Sequence, residues 1–140
     1  MNSPQNATPT TVVIADRSAA MRAALVRMFA AEPGLRLVGE AEDAAGILRL
    51  LRRERPDALV VDPGALGPGG LQSLPLLRGA SEGTKIIVAD FPEGPAFTES
   101  VLRLGADAFV AKGTAPDAWF AAIRSALGDS STAASAIPAP

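Results

Sequence analysis

A chain of 140 residues, 48% hydrophobic and 20% charged, has the apolar mass for one globular domain, which at this size buries roughly two thirds of the surface its unfolded form exposes. Cysteine and histidine are both absent, which excludes disulfides, thiolate zinc sites, thiol catalysis and the commonest general base. Chemistry must run on carboxylates, hydroxyls and amines. The formal charge of −2 and a pI near 5.1 give no general pull toward phosphate backbones, and apolar runs of at most six residues fall far short of a membrane span.

Residues 1–10, MNSPQNATPT, are polar and hold two prolines, so they read as a disordered lead. Without a basic stretch and an apolar core they are no signal peptide, and the expected location is the cytoplasm. Five short apolar runs follow: TVVIAD (11–16), LRLVGEA (35–41), DALVVD (57–62), KIIVAD (85–90) and DAFVAK (107–112). Three are continuously apolar in the middle, as strands covered on both faces must be. After the first run comes a helical pattern with Met21, Leu25, Met28 and Phe29 on one face, stopped by Pro33-Gly34. The second run leads into a helix with Ile47 and Leu51 one turn apart and Pro56 as its stop. Segment 71–78 reads as a short helix, preceded by a loop whose glycines 64, 67, 69 and 70 match no phosphate-binding pattern and suggest mobility. Segment 95–104 is a helix carrying Val101 and Leu104, ended by Gly105. The last helix opens at Thr114, the expected N-cap, with Pro116 in its first turn and Phe120, Ile123 and Leu127 as its stripe before Gly128. Residues 129–140, DSSTAASAIPAP, read as a disordered tail or interdomain linker.

Strand and helix alternate strictly, which predicts an α/β three-layer sandwich: a five-stranded parallel sheet with five helices on its two faces and right-handed crossovers. Sites in such sheets form at the carboxyl ends of the strands. Here those ends carry Asp16, Asp62, Asp90 and Lys112, while the interiors of those four strands hold no ionisable residue. A lone strand-terminal aspartate is an ordinary turn former. Four ionisable ends converging on one edge mark a site.

Over residues 11–128 the chain resembles the receiver domain of bacterial response regulators, nearest the NarL/FixJ-type branch, most closely in LRLVGEAEDAAGILRLLRRERPDALVVD and LRLGADAFVAK. The resemblance implies a flavodoxin-like (CheY-like) sheet of order 2-1-3-4-5. It places Asp62 at the phosphoacceptor position, Lys112 at the lysine that pairs with the phosphoryl group, Phe109 at the switch aromatic, and Asp16 at the first of two acidic positions that hold magnesium. The second acidic position is Arg17. Asp90 stands where the family reads the phosphoryl group with a hydroxyl, and Leu66 replaces a usual proline, although Gly70 keeps the later glycine.

These departures change the electrostatics. The family's pocket sets three carboxylates against one lysine and uses a divalent ion to balance them; this pocket sets Asp16, Asp62 and Asp90 against two cations, Arg17 and Lys112. An acyl phosphate beside Asp90, at about 4 Å and an effective dielectric near 20, costs on the order of 4 kcal/mol. Magnesium requires octahedral oxygen ligation, and any residual site is confined to Asp16, Asp62 and Gly64. The expected module therefore uses no cofactor, is no enzyme, and works independently of phosphorylation, with Arg17 replacing the metal and forking onto Asp62 or Asp90. In the alternative arrangement Arg17 swings into solvent and the site is a relic. A conventional phospho-accepting receiver and a small-ligand sensor are competing readings of the same cleft.

Arg49, Arg52, Arg53 and Arg55 read as a solvated helix end. Trp119 either covers the first helix or belongs to a dimer contact, and Pro92 and Pro95 stiffen the loop before the fourth helix. The resemblance implies a sensor histidine kinase or other protein partner and a homodimer through the fourth/fifth or first/fifth helix face. DNA contact falls to a helix-turn-helix output domain beyond a linker, which residues up to Pro140 resemble.

Overall fold

The computed structural model describes residues 8–91, 94–128 and 135–136. The apolar runs form parallel strands β1 (Thr10–Ala15), β2 (Leu35–Ala41), β3 (Ala58–Val61), β4 (Lys85–Asp90) and β5 (Ala108–Ala111), in the spatial order β2-β1-β3-β4-β5. Between and after them run α1 (Ala19–Ala30), α2 (Ala44–Glu54), α3 (Leu74–Ala80), α4 (Pro95–Arg103) and α5 (Pro116–Ala126). The expected sheet order is therefore the observed one.

Two details at the ends differ from expectation. Thr10, within the anticipated lead, already belongs to β1, while residues 1–7 lie outside the described residues. A two-residue strand, β6 (Ser135–Ala136), lies parallel to β5 inside the stretch read as a disordered tail, with Phe109 opposite Ser135 and Val110 opposite Ala136.

Successive strand residues point to opposite faces, so a sheet covered on both sides needs apolar residues at every strand position. Val12, Ile14, Val60, Ile87 and Val110 pack with Leu25 and Phe29 of α1 and Phe120 and Ile123 of α5. Their neighbours Val13, Leu59, Val61, Val88 and Phe109 pack with Ile47 and Leu51 of α2, Leu74 and Leu77 of α3, and Val101 of α4. Trp119 settles against α1: it is 2% exposed, lies edge-on to Phe29 at 6.1 Å, and donates its indole N–H to the Thr114 carbonyl at 3.2 Å. That places it in the core and corrects the alternative of a dimer contact. Leu104, expected on the apolar face of α4, is 37% exposed at that helix's C-terminus.

Local chemistry sets the helix starts. Ser18 caps α1 by accepting from Met21 N–H, and Asp43 caps α2 by accepting from Gly46 N–H at 2.9 Å. Thr114 is not the cap of α5; Ala115 is, because Pro116 opens the helix and the first helical bonds, from Ala118 and Trp119 N–H, go to the Ala115 carbonyl. The Thr114 hydroxyl is buried without a protein partner among the described residues. Residues Pro63–Ser73 form 3-10 turns broken at Gly67 and Gly70, whose φ angles of 77° and 52° only glycine adopts readily. Ala65 and Leu66 are buried there, so the stretch that its glycines suggest is mobile is tied to the core at these two residues. Gly39 lets α2 approach β2: a Cβ there would stand 2.6 Å from Leu50 Cδ2.

Candidate functional site

Each strand ends where its apolar run meets a polar residue, and because the strands are parallel those ends share one edge of the sheet. Asp16 follows β1, Asp62 follows β3 and caps the 3-10 segment, Asp90 closes β4, and Lys112 follows β5. Lys112 is the organiser. Its ammonium donates to Asp62 Oδ1 at 2.6 Å and to Asp16 Oδ2 at 2.9 Å, with a side chain only 5% exposed. Burial pushes the Lys112 ammonium down, but hydrogen bonds to Asp62 and Asp16 and attraction to both charges outweigh it and hold the group above its ordinary value. The Phe91 ring, itself exposed, lies over this ammonium at 5.7 Å.

The remaining carboxylate oxygens are also occupied. Asp16 Oδ1 accepts from Ser18 N–H at 2.9 Å, and Asp62 Oδ2 accepts from Gly64 N–H at 2.8 Å. Gly64 cannot carry a side chain without cost, because a Cβ would stand 2.7 Å from that same Asp62 oxygen. Backbone bonds complete the hold on Asp16: its N–H donates to the Ala41 carbonyl at 3.0 Å, and its carbonyl accepts from Arg22 Nη1 at 2.7 Å. Arg22 and Glu40, paired at 3.0 Å, were not singled out in the sequence; Arg22 lies in helix α1 as an ordinary surface-type residue, and no local signal distinguishes it.

Arg17 takes the opposite path. The chain leaves β1 with Asp16 directed inward, so the next residue projects outward; Arg17 is exposed and makes no ion pair among the described residues. The fork onto Asp62 or Asp90 is therefore not formed, and the cation inside the pocket is Lys112. Asp90 accepts from Phe91 N–H at 2.8 Å, and its carbonyl accepts from Lys112 N–H at 3.0 Å. Phe109 is fully buried and lies edge-on to Phe97 of α4 at 5.7 Å. Pro92 lies outside the described residues, while Pro95 opens α4.

A magnesium ion needs about six oxygen ligands in near-octahedral order. Here each oxygen of the two carboxylates that would serve it already accepts a hydrogen bond, from the Lys112 ammonium or a peptide N–H, and Gly64 faces Asp62 with its N–H. Among the described residues no group of three or more acidic, His or Cys side chains is placed to hold a metal. The donor set as arranged does not fit the ion.

The profile of the response regulator receiver domain matches residues 12–124. The nitrate/nitrite response regulator protein NarP of Escherichia coli strain K12 is 30% identical over 118 residues, covering 84% of this chain and 55% of that protein. Among solved structures, the signal receiver domain of NarL from Mycobacterium tuberculosis superposes with a TM-score of 0.78 at 24% identity, covering 87% of this chain and 98% of that one. A LuxR-family response regulator from Aurantimonas sp. SI85-9A1 gives 0.77 at 28% identity, with 86% of each chain covered. The chain spans about half the length of the curated relatives it matches. With this fold, and with charged residues at these strand ends, the chain belongs to the response regulator receiver domain family of two-component signalling, on its NarL/LuxR-type side.

Proposed function

We propose that this receiver works independently of magnesium-dependent phosphorylation, its acidic pocket neutralised from within, and that it signals through protein contacts. The observation that carries this reading is the Lys112 bridge, which engages Asp16 and Asp62 together in the cleft where a divalent ion would otherwise balance them. Arg17 contributes by what it removes: an arginine at the second acidic position supplies no oxygen ligand and leaves a positive charge at the mouth. Asp90 adds like charge beside any acyl phosphate on Asp62.

Sequence kinship supports a cytoplasmic module partnered by a sensor histidine kinase or another signalling protein, and a homodimer through the α4/α5 or α1/α5 face. No described helix is long and apolar enough to cross a membrane. DNA contact and transcriptional control fall to an output domain, of the kind the longer relatives have room for. The module itself catalyses nothing; the protein-glutamate methylesterase among its relatives matches over only 29% of that protein's length.

One observation favours the conventional reading, with Asp62 as phosphoacceptor. Its side chain is 16% exposed and already touches the lysine that would pair with a phosphoryl group on it. Calorimetric titration with magnesium, alone and with beryllofluoride, separates the two. The proposal expects no saturable binding at millimolar metal. It also expects the double variant Arg17→Asp, Asp90→Thr to gain magnesium-dependent labelling by acetyl phosphate. Saturable binding by the unmodified chain that tightens with beryllofluoride would establish the conventional mechanism instead.

A further inference from the structure

Beside the acidic pocket, at the carboxyl end of β2, lies a hollow of about 250 Å3 between Arg22 of α1, Glu40 and Ala41 of β2, Glu42 and Asp43 in the turn, and Gly46 and Arg49 of α2. Its charged groups divide into committed and uncommitted ones. Arg22 is tied to Glu40 and to the Asp16 carbonyl, and Asp43 Oδ1 is spent capping α2. The Arg49 guanidinium and the Glu42 carboxylate make no hydrogen bond or ion pair among the described residues. Arg49 folds back along its helix toward the N-terminus, as helical side chains do, until Nη2 comes 3.8 Å from where a Cβ on Gly46 would stand. Ala41 and Gly46 give the hollow a buried, small-residue floor.

One free cation and one free anion thus line a single cavity with the volume for a small molecule. With three carboxylates against two guanidiniums the hollow is net negative, which disfavours phosphates and other polyanions. A molecule carrying both a carboxylate and an ammonium satisfies both groups: the carboxylate forks onto Arg49 and the ammonium meets Glu42 and the second oxygen of Glu40. We propose that this hollow is a binding site for a small zwitterion of the amino-acid class. Its occupation reaches the neighbouring pocket by a short path. Asp16 is held through its N–H by Ala41 and through its carbonyl by Arg22, so the backbone that presents the Asp16 carboxylate to Lys112 is clamped by two walls of the hollow. The proposed site stands on its own residues and does not require that Asp62 is ever phosphorylated.

The test is calorimetry on the full chain, without magnesium, against a panel of L-amino acids, with acetate and methylammonium as half-probes. The expected result is saturable binding of at least one amino acid, none of either half-probe, and a loss of about tenfold or more in both Arg49→Gln and Glu42→Gln. Arg52→Gln, an exposed neighbour on the same helix with the same charge change, should bind like the parent. The inference is overturned if no member of the panel binds, if acetate alone competes equally, if binding survives both substitutions, or if Arg52→Gln weakens it as much. Because metal and phosphodonor are absent throughout, these outcomes leave the phosphorylation reading to its own experiment.

Discussion

Asp16 has each of its polar atoms engaged: both carboxylate oxygens, its N–H and its carbonyl. Such a residue is a fixed anchor, and Lys112 is the charge that makes it tolerable in a cleft where Asp16 is only 2% exposed. Removing one partner of a buried ionic cluster leaves the others uncompensated, so Lys112→Met should cost about 3–5 kcal/mol of stability at neutral pH, read from denaturant midpoints. The pH dependence has a definite sign. A lysine held above its ordinary value near 10.5 contributes stability that is fully present below that value and is lost as pH rises through the higher folded value. The gap between parent and variant should therefore stay constant from neutral pH to about 10 and close beyond it; a gap that persists undiminished at higher pH, after the lysine has lost its proton, would show that the bridge does not act through the ammonium. The sequence made the four strand-end residues legible because apolar runs that stop in charge are visible in one dimension. It could not show that Arg17 points out, because one residue of pleat separates a buried side chain from a solvated one, and the turn that sets this is fixed by the Ala41 contact from β2 together with the Arg22 contact from the following helix.

At the scale of elements, α2 is seated by absence of a side chain. Gly39 gives Leu50 its place, and neither residue's role can be read from spacing, since they belong to different elements that meet only in the folded sheet. Gly39→Ala should force the buried Leu50 side chain to shift and cost about 1–3 kcal/mol, detectable as a lower melting temperature with unchanged far-ultraviolet dichroism. An unaltered melting temperature would mean that the β2–α2 contact is loose. The helices themselves were legible where their stripes are long. Phe29, Ile47, Leu51, Val101, Phe120 and Ile123 are all buried, as their periodicity predicts. Legibility fails at helix ends and in the connection before α3. There, the cap of α5 shifts by one residue to Ala115, and the connection after Asp62 is a run of 3-10 turns interrupted at Gly67 and Gly70 rather than a regular element with a readable period.

Across the whole molecule, one sheet serves two cores. Alternate residues of β1, β3, β4 and β5 contribute to opposite layers, so neither layer can be dismantled while the strands remain paired. Unfolding is expected to be a single cooperative event: Trp119 emission, which reports the α1/α5 side, and backbone dichroism, which reports both, should give superimposable denaturant transitions. Separated transitions would assign the two layers independent stabilities. The two borders of that sheet are treated differently. Beyond β5 lies the short β6, whereas among the described residues β2 pairs only with β1 and presents its other side bare. An open border of this kind is a template on which further chains add as strands, the first step toward fibrils. Here it carries exposed Arg36 and Glu40, and its pairing with β1 slips register between Val12 and Val13. An approaching strand would meet charge and an irregular ladder, so the border that the fold leaves uncovered is guarded against self-assembly in a chain that is nearly half apolar.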